Sequence, residues 1–154
     1  MDSCCEPSVP DHSDPPRCVA CGHTGRSVGL ITLKALLRPA ALERLAPGNH
    51  YFCGSGSCPV VYFGGGAVFR REDVVVPVFQ KEAEGQRTVC YCFQIAEDQV
   101  RREVEAAGAS ASAERIKALV QSDRCACEVR NPQGTCCLGN LTAVVRSVQG
   151  LCVT

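Results

Sequence analysis

Thirteen cysteines in 154 residues, eight of them spaced as two four-ligand sets, constrain this chain more than any other feature. The first set is Cys18-Val-Ala-Cys21 followed by Cys53-x4-Cys58. The second begins with Cys90-Tyr-Cys92 and draws on a later cluster of Cys125, Cys127, Cys136 and Cys137. Thiols so grouped are metal ligands, reactive dithiols or disulfide partners, and compartment decides among these. The N-terminal Met-Asp-Ser-Cys-Cys-Glu-Pro has neither the basic nor the apolar region of a secretory signal. No stretch approaches the roughly 20 apolar residues of a membrane span. A cytoplasmic chain with reduced thiols is expected, so the sets read as metal sites.

Size points the same way. Aromatic residues are 5% of the chain and Trp is absent, so no single large aromatic core is expected. Small domains bury little surface and are commonly stapled by metals. Sixteen basic and sixteen acidic residues cancel. That removes a general electrostatic case for nucleic acid or a membrane surface as partner.

Residues 1–16 are polar and proline-rich and read as a disordered tail carrying the Cys4-Cys5 pair. Residues 17–79 form a first domain. It opens with a Cys-x2-Cys-Gly knuckle, followed by a short helix over Thr32–Leu37 with a second piece from Ala40 to Leu45. Strands are expected at His50–Cys53, Val60–Phe63 and Ala67–Phe69, the last two joined by Gly64-Gly65-Gly66. Val74–Phe79 is broken by Pro77 and is an edge strand at best. Residues 80–88 are charged and read as a linker. Residues 89–150 read as mostly helical, with apolar stripes on Asp98–Ala107, on a helix capped by Ser112 and on Leu138–Val148. The fold class is a small, metal-stabilised α+β protein.

At the first set, a knuckle brings two sulfurs onto one ion, and Gly22 lets the backbone curl around it. Cys18, Cys21, Cys53 and Cys58 fill a tetrahedral zinc site and leave no open position, so the site is structural. A thioredoxin-type dithiol would need a βαβ setting and would not use Cys53 and Cys58. His23 and His50 lie nearby in sequence and are expected to be exposed. At the second set, Cys-x-Cys can serve one iron or one edge of a cluster. Spacing leaves the later pair open among Cys125, Cys127, Cys136 and Cys137, and leaves [2Fe-2S] and a second zinc as competing occupants.

Three segments carry a family resemblance. They are Val89-Cys90-Tyr-Cys92-Phe93, the run Cys127-x3-Asn131-Pro132-x-Gly134-x-Cys136-Cys137, and Tyr51-Phe52-Cys53-x4-Cys58-x-Val60-Val61-Tyr62-Phe63. Together they resemble the N-terminal region of archaeal CopZ-type copper chaperones, over roughly residues 17–148. There a zinc-binding domain precedes a [2Fe-2S] domain similar to the bacterioferritin-associated ferredoxin (BFD-like) family. The resemblance implies Cys90, Cys92, Cys127 and Cys137 as cluster ligands, with Cys136 in reserve, and Cys18, Cys21, Cys53 and Cys58 as zinc ligands. It implies a copper-transporting ATPase, a metal-binding domain or an electron donor as partners. The Met-x-Cys-x-x-Cys domain that carries Cu(I) in such chaperones has no counterpart between Leu138 and Thr154, and Met1 is the only Met.

Outside both sets, the soft thiols of Cys4 and Cys5 suit Cu+ or another thiophilic ion. Three functions follow. One is electron transfer with metal trafficking, for instance reduction of Cu(II) to Cu(I), a non-classical metal-ion reductase activity. Another is a non-redox, metal-stapled docking or regulatory module. An enzyme of ordinary kind has little support, because Gly64-Gly65-Gly66 precedes no helix and no catalytic triad stands out. Glu97/Asp98 and Glu103/Glu105 read as solvated helix faces.

Overall fold

Three consecutive glycines turn the chain between its two best-formed strands. β3 (Val60–Gly64) pairs antiparallel with β4 (Ala67–Arg70). Gly64, Gly65 and Gly66 all have positive φ (+125°, +59°, +77°), a region that side chains strongly disfavour. A Cβ at Gly64 would also drive into the Asn49 carbonyl. The computed structural model, which describes residues 14–150, completes this sheet with β2 (His50–Phe52) and β1 (Arg26–Val28) in the order β1-β2-β3-β4. β1 was not expected from the sequence.

The sheet separates two kinds of packing. Phe52, Tyr62 and Phe69 bury one face under Leu33 and Leu36 of α1 (Leu30–Leu36), with Leu37 beyond it. Val60 and Phe63 pack instead with Cys18, Cys53 and Cys58, with Tyr51 alongside. The pairings Phe52 with Tyr62 and Tyr51 with Phe63 follow from the alternation of a strand. Pro39 opens α2 (Pro39–Leu42) at a first-turn position where its missing N–H costs nothing. Beyond β4, Val74 makes one antiparallel bridge to Leu37, and the run ends in a 3-10 turn at Phe79–Lys81 instead of a strand.

The charged stretch after Phe79 is packed. Lys81 is buried and its Nζ donates to the Ser55 carbonyl at 2.6 Å. Gln80 Nε2 donates to Gln133 Oε1 at 2.6 Å, and Arg87 pairs with Glu97.

The second half, expected to be mostly helical, opens with a hairpin that was not expected, β5 (Thr88–Cys90) and β6 (Ile95–Ala96). Then come α3 (Glu97–Ala107), α4 (Ala111–Gln121), α5 (Cys127–Arg130) and α6 (Leu138–Val148). Gly108, at φ +75°, closes α3. The cap of α4 is Ser110, not Ser112: Ser110 Oγ accepts from Ala113 N at 3.0 Å. Ser112 lies in the first turn and donates its hydroxyl to Glu103. Val100 and Val104, Ile116, and Leu141 and Val144 form one core with Val89, Cys90, Cys127 and Cys137. The three helical stripes therefore meet over the cysteines. No helix among the described residues is long and apolar enough to cross a membrane.

Candidate metal centres

The first centre is built by two tight turns facing each other. Gly22 N donates to Cys18 O at 2.8 Å, and Cys18 N to His23 O at 2.9 Å, closing the knuckle. Gly22 takes φ +73°, as its predicted role requires. Cys53 leaves β2 with its N–H on the Val61 carbonyl at 2.9 Å, and Cys58 leads through Pro59 into β3. The Sγ atoms of Cys18, Cys21, Cys53 and Cys58 all lie within 4.8 Å of one another. Cys18 to Cys58 is 3.9 Å and Cys21 to Cys53 is 3.7 Å. A zinc–sulfur bond of about 2.3 Å gives a tetrahedron edge of about 3.8 Å, so the thiols fit the ion.

Their protonation chemistry asks for a cation. Burial pushes the Cys53 thiol up to about 12 and raises Cys58 as well. The Lys81 ammonium opposes burial at Cys53. Cys21, at the surface, is lowered to about 7, chiefly by the His23 backbone N–H. Buried thiols of this kind become thiolates when a metal replaces the proton. His50 does not join them. Contrary to expectation it is buried, and its Nδ1 stands 3.0 Å from the Gly48 carbonyl. His23 is exposed, as expected.

The second set is arranged differently. Cys92 Sγ lies 3.7 Å from Cys127 Sγ and accepts from Ala126 N at 3.2 Å. The neighbouring Cys137 thiol lowers the Cys90 thiol to about 6 and is itself raised. Burial pushes Cys127 up to about 12, against a stabilising Cys137 N–H. Cys92 thus meets Cys127 directly, and Cys90 lies in the same buried core as Cys127 and Cys137. Cys137, just before α6, is buried, whereas its neighbour Cys136 is exposed and Cys125 is half-buried. Cys4 and Cys5, proposed from sequence for a thiophilic ion, lie outside the described residues, as does Cys152.

Several supporting residues escaped the sequence reading. Tyr91, between the two thiols, donates to Pro77 O at 2.6 Å and accepts from Phe79 N at 3.0 Å. Glu97 is no solvated carboxylate: it is fully buried between Arg87 and Arg101. Glu103 accepts from the Ser110 and Ser112 hydroxyls and from Ser112 N. Both carboxylates are held well below the usual range, at about 2, and serve the frame.

A knuckle and a hairpin that close four thiols within 4.8 Å define a zinc-binding domain of the four-cysteine class. The family model described as "Zinc binding domain" (zf_CopZ) matches residues 15–75. The copper chaperone CopZ of Archaeoglobus fulgidus is 33% identical over 121 residues, covering 79% of this chain and 57% of that protein. The chain thus spans a little over half the length of this curated relative. The X-ray structure of the Archaeoglobus fulgidus CopZ N-terminal domain matches with a TM-score of 0.70 at 30% identity, over 84% of this chain and 97% of that one. The chain belongs to the CopZ zinc-binding domain family and is a homologue of that N-terminal domain.

Proposed function

We propose that the chain is a metal-homeostasis protein with a structural zinc at Cys18, Cys21, Cys53 and Cys58 and a [2Fe-2S] cluster at Cys90, Cys92, Cys127 and Cys137. The observation that carries the second assignment is the convergence of these thiols: Cys92 Sγ lies 3.7 Å from Cys127 Sγ, and Cys90 and Cys137 are buried in one core with Cys127. Each iron of such a cluster takes two protein thiolates, and four thiols gathered at one core would supply them. The burial of Cys137 favours it over Cys136. The helical half then reads as BFD-like.

When bound, such a cluster supplies one-electron transfer. Around it the chain provides the Ala126 N–H, 3.2 Å from Cys92 Sγ, which stabilises added negative charge. The acceptor in this reading is a thiophilic ion, Cu(II) reduced to Cu(I), with the electron drawn from a separate one-electron reductant. The similarity to a copper chaperone supports copper as cargo. Handover would go to a metal-transport partner such as a copper-transporting ATPase or its metal-binding domain. A cytoplasmic location, where thiols stay reduced, fits this reading.

The test is protein purified without oxygen, with iron, sulfide and zinc counted and the absorption spectrum taken before and after dithionite. Two irons, two sulfides and one zinc, with colour bleached by reductant, are expected. A colourless protein with two zincs and no sulfide would refute the redox reading and leave a metal-stapled docking module.

A further inference from the structure

The segment from Cys127 to Cys137 has little apolar material with which to hold its shape. Hydrogen bonds do so instead. Within it, Asn131 Nδ2 donates to Thr135 O at 2.9 Å, Gln133 N to Asn131 Oδ1 at 3.2 Å, and Gln133 Nε2 to Cys136 O at 3.2 Å. The remaining anchors come from the other half of the molecule. Thr32 Oγ1 on α1 donates to Glu128 O at 2.6 Å, and Tyr62 Oη on β3 donates to Pro132 O at 2.5 Å. Gln80, next to the buried Lys81, donates to Gln133.

These contacts are dry and tight. Tyr62 is 0% exposed and Thr32 is 1% exposed. A Cβ added at Gly134 would stand 3.0 Å from both Thr32 Oγ1 and Val28 Cγ2, so the loop backbone lies directly on the first half. Tyr62 sits on the strand that leaves Cys58, and Phe52, whose ring centroid is 6.1 Å from that of Tyr62, immediately precedes Cys53. The side chains that grip the second ligand loop therefore belong to the elements that carry the first ligand set.

We propose that Tyr62 and Thr32 are positioning residues for the second centre: they fix the loop that presents Cys127 and Cys137 to Cys92 and Cys90, so that one frame holds both metal sites. The proposal rests on the [2Fe-2S] reading of the second set. Its consequence is more than stability. The potential of an iron–sulfur cluster depends on hydrogen bonds to its sulfurs and on exposure. The N–H of Ala126, which donates to Cys92 Sγ at 3.2 Å, stands at the start of this loop. Loosening an anchor moves it. Deleting the Tyr62 hydroxyl leaves the buried Pro132 carbonyl without its partner, a change that costs more than the bond itself was worth.

The experiment uses the full chain, reconstituted with iron and sulfide without oxygen, as wild type, Tyr62→Phe, Thr32→Val and the control Tyr51→Phe, whose ring lies on the other face of the sheet. Zinc content, midpoint potential, the electron paramagnetic resonance spectrum of the reduced protein and the rate of iron release to a ferrous chelator are measured. Tyr62→Phe and Thr32→Val are expected to keep one zinc, shift the potential and spectrum, and release iron about tenfold faster, equivalent to about 1.4 kcal/mol. Tyr51→Phe is expected to match wild type. Should Tyr62→Phe fail to fold, Thr32→Val decides. Variants with wild-type potential, spectrum and iron release overturn the positioning role while leaving the cluster reading intact. A wild type that takes up no iron and sulfide overturns the cluster reading, and the proposal with it.

Discussion

Replacing Glu97 with glutamine asks whether charge clasps the hairpin that carries Cys90 and Cys92. Glu97 stands just after β6 and Arg87 just before β5, so their contact closes the base of that hairpin. Glu97 Oε1 accepts from Arg87 Nη2 at 2.7 Å and Arg101 Nη2 at 3.0 Å. Its Oε2 accepts from Arg87 Nε at 2.7 Å and Gly85 N at 2.8 Å. Burial alone would raise this carboxyl, but the arginines and the Gly85 N–H prevail and hold it at about 2 against an ordinary 4.5. That gap corresponds to about 3 kcal/mol at pH 7. A broken buried ion pair costs about 3–5 kcal/mol, and the partial exposure of Arg87 (16%) and Arg101 (26%) places this one at the low end. Because the folded value lies below the ordinary one, the stabilisation is full above pH 4.5 and is lost as pH falls toward 2. Urea unfolding of zinc-loaded wild type and Glu97→Gln, compared at each pH, isolates the effect, since thiol protonation is common to both. The expected difference is about 3 kcal/mol at pH 7, smaller by about 1.4 kcal/mol at pH 3.5. A difference under about 1 kcal/mol at pH 7, or one that does not change with pH, would refute the clasp.

Two further substitutions test the first centre. Lys81→Met removes the buried ammonium that donates to Ser55 O and favours the Cys53 thiolate; zinc transfer to a chromophoric chelator should become several-fold faster, and an unchanged rate would show the charge to be idle. Gly25→Ala places a Cβ 2.5 Å from Phe63 Cζ and 2.9 Å from Tyr51 Cβ, so thermal unfolding should show a loss of about 1–3 kcal/mol from overpacking. A wild-type melting temperature in that variant would mean that the sheet yields there freely.

Local chemistry was legible in the sequence, and long-range pairing was not. The Cys-x2-Cys-Gly knuckle, the triple-glycine turn and the stripe of α6 each follow from residues close in the chain, and the structure has each of them. β1 carries no apolar alternation, two of its three residues being exposed; it is a strand because Arg26, Ser27 and Val28 meet Phe52, Tyr51 and His50. The β5–β6 hairpin turns through Gln94 at φ +57°, without the Gly or Asn that usually signals such a turn. α5 has four residues, too few to show a period. Glu97 looked like surface because helical spacing describes its own element and not the arginine across the hairpin. Spacing also left four later cysteines equivalent; their burial, which depends on the loop between Cys127 and Cys137, distinguishes them.

The two thiol sets differ for a reason rooted in backbone geometry. A Cys-x2-Cys turn tightened by Gly22 brings both sulfurs toward one point, and a second such turn completes a tetrahedron around a single ion. An extended strand spaces alternate residues by about 6.6 Å, well beyond a tetrahedron edge of about 3.8 Å. Cys90 is the last residue of β5 and Cys92 lies in the turn beyond it, where its thiol reaches Cys127 on α5. In the proposed reading this second set holds the two irons of a cluster. It also depends on whatever holds the partners in place, and here Cys127 and Cys137 sit at the ends of a loop gripped by Thr32 and Tyr62. The first set is closed by its own turns with Lys81 beneath them, and in the proposed reading the second leans on the first half of the molecule through those two side chains.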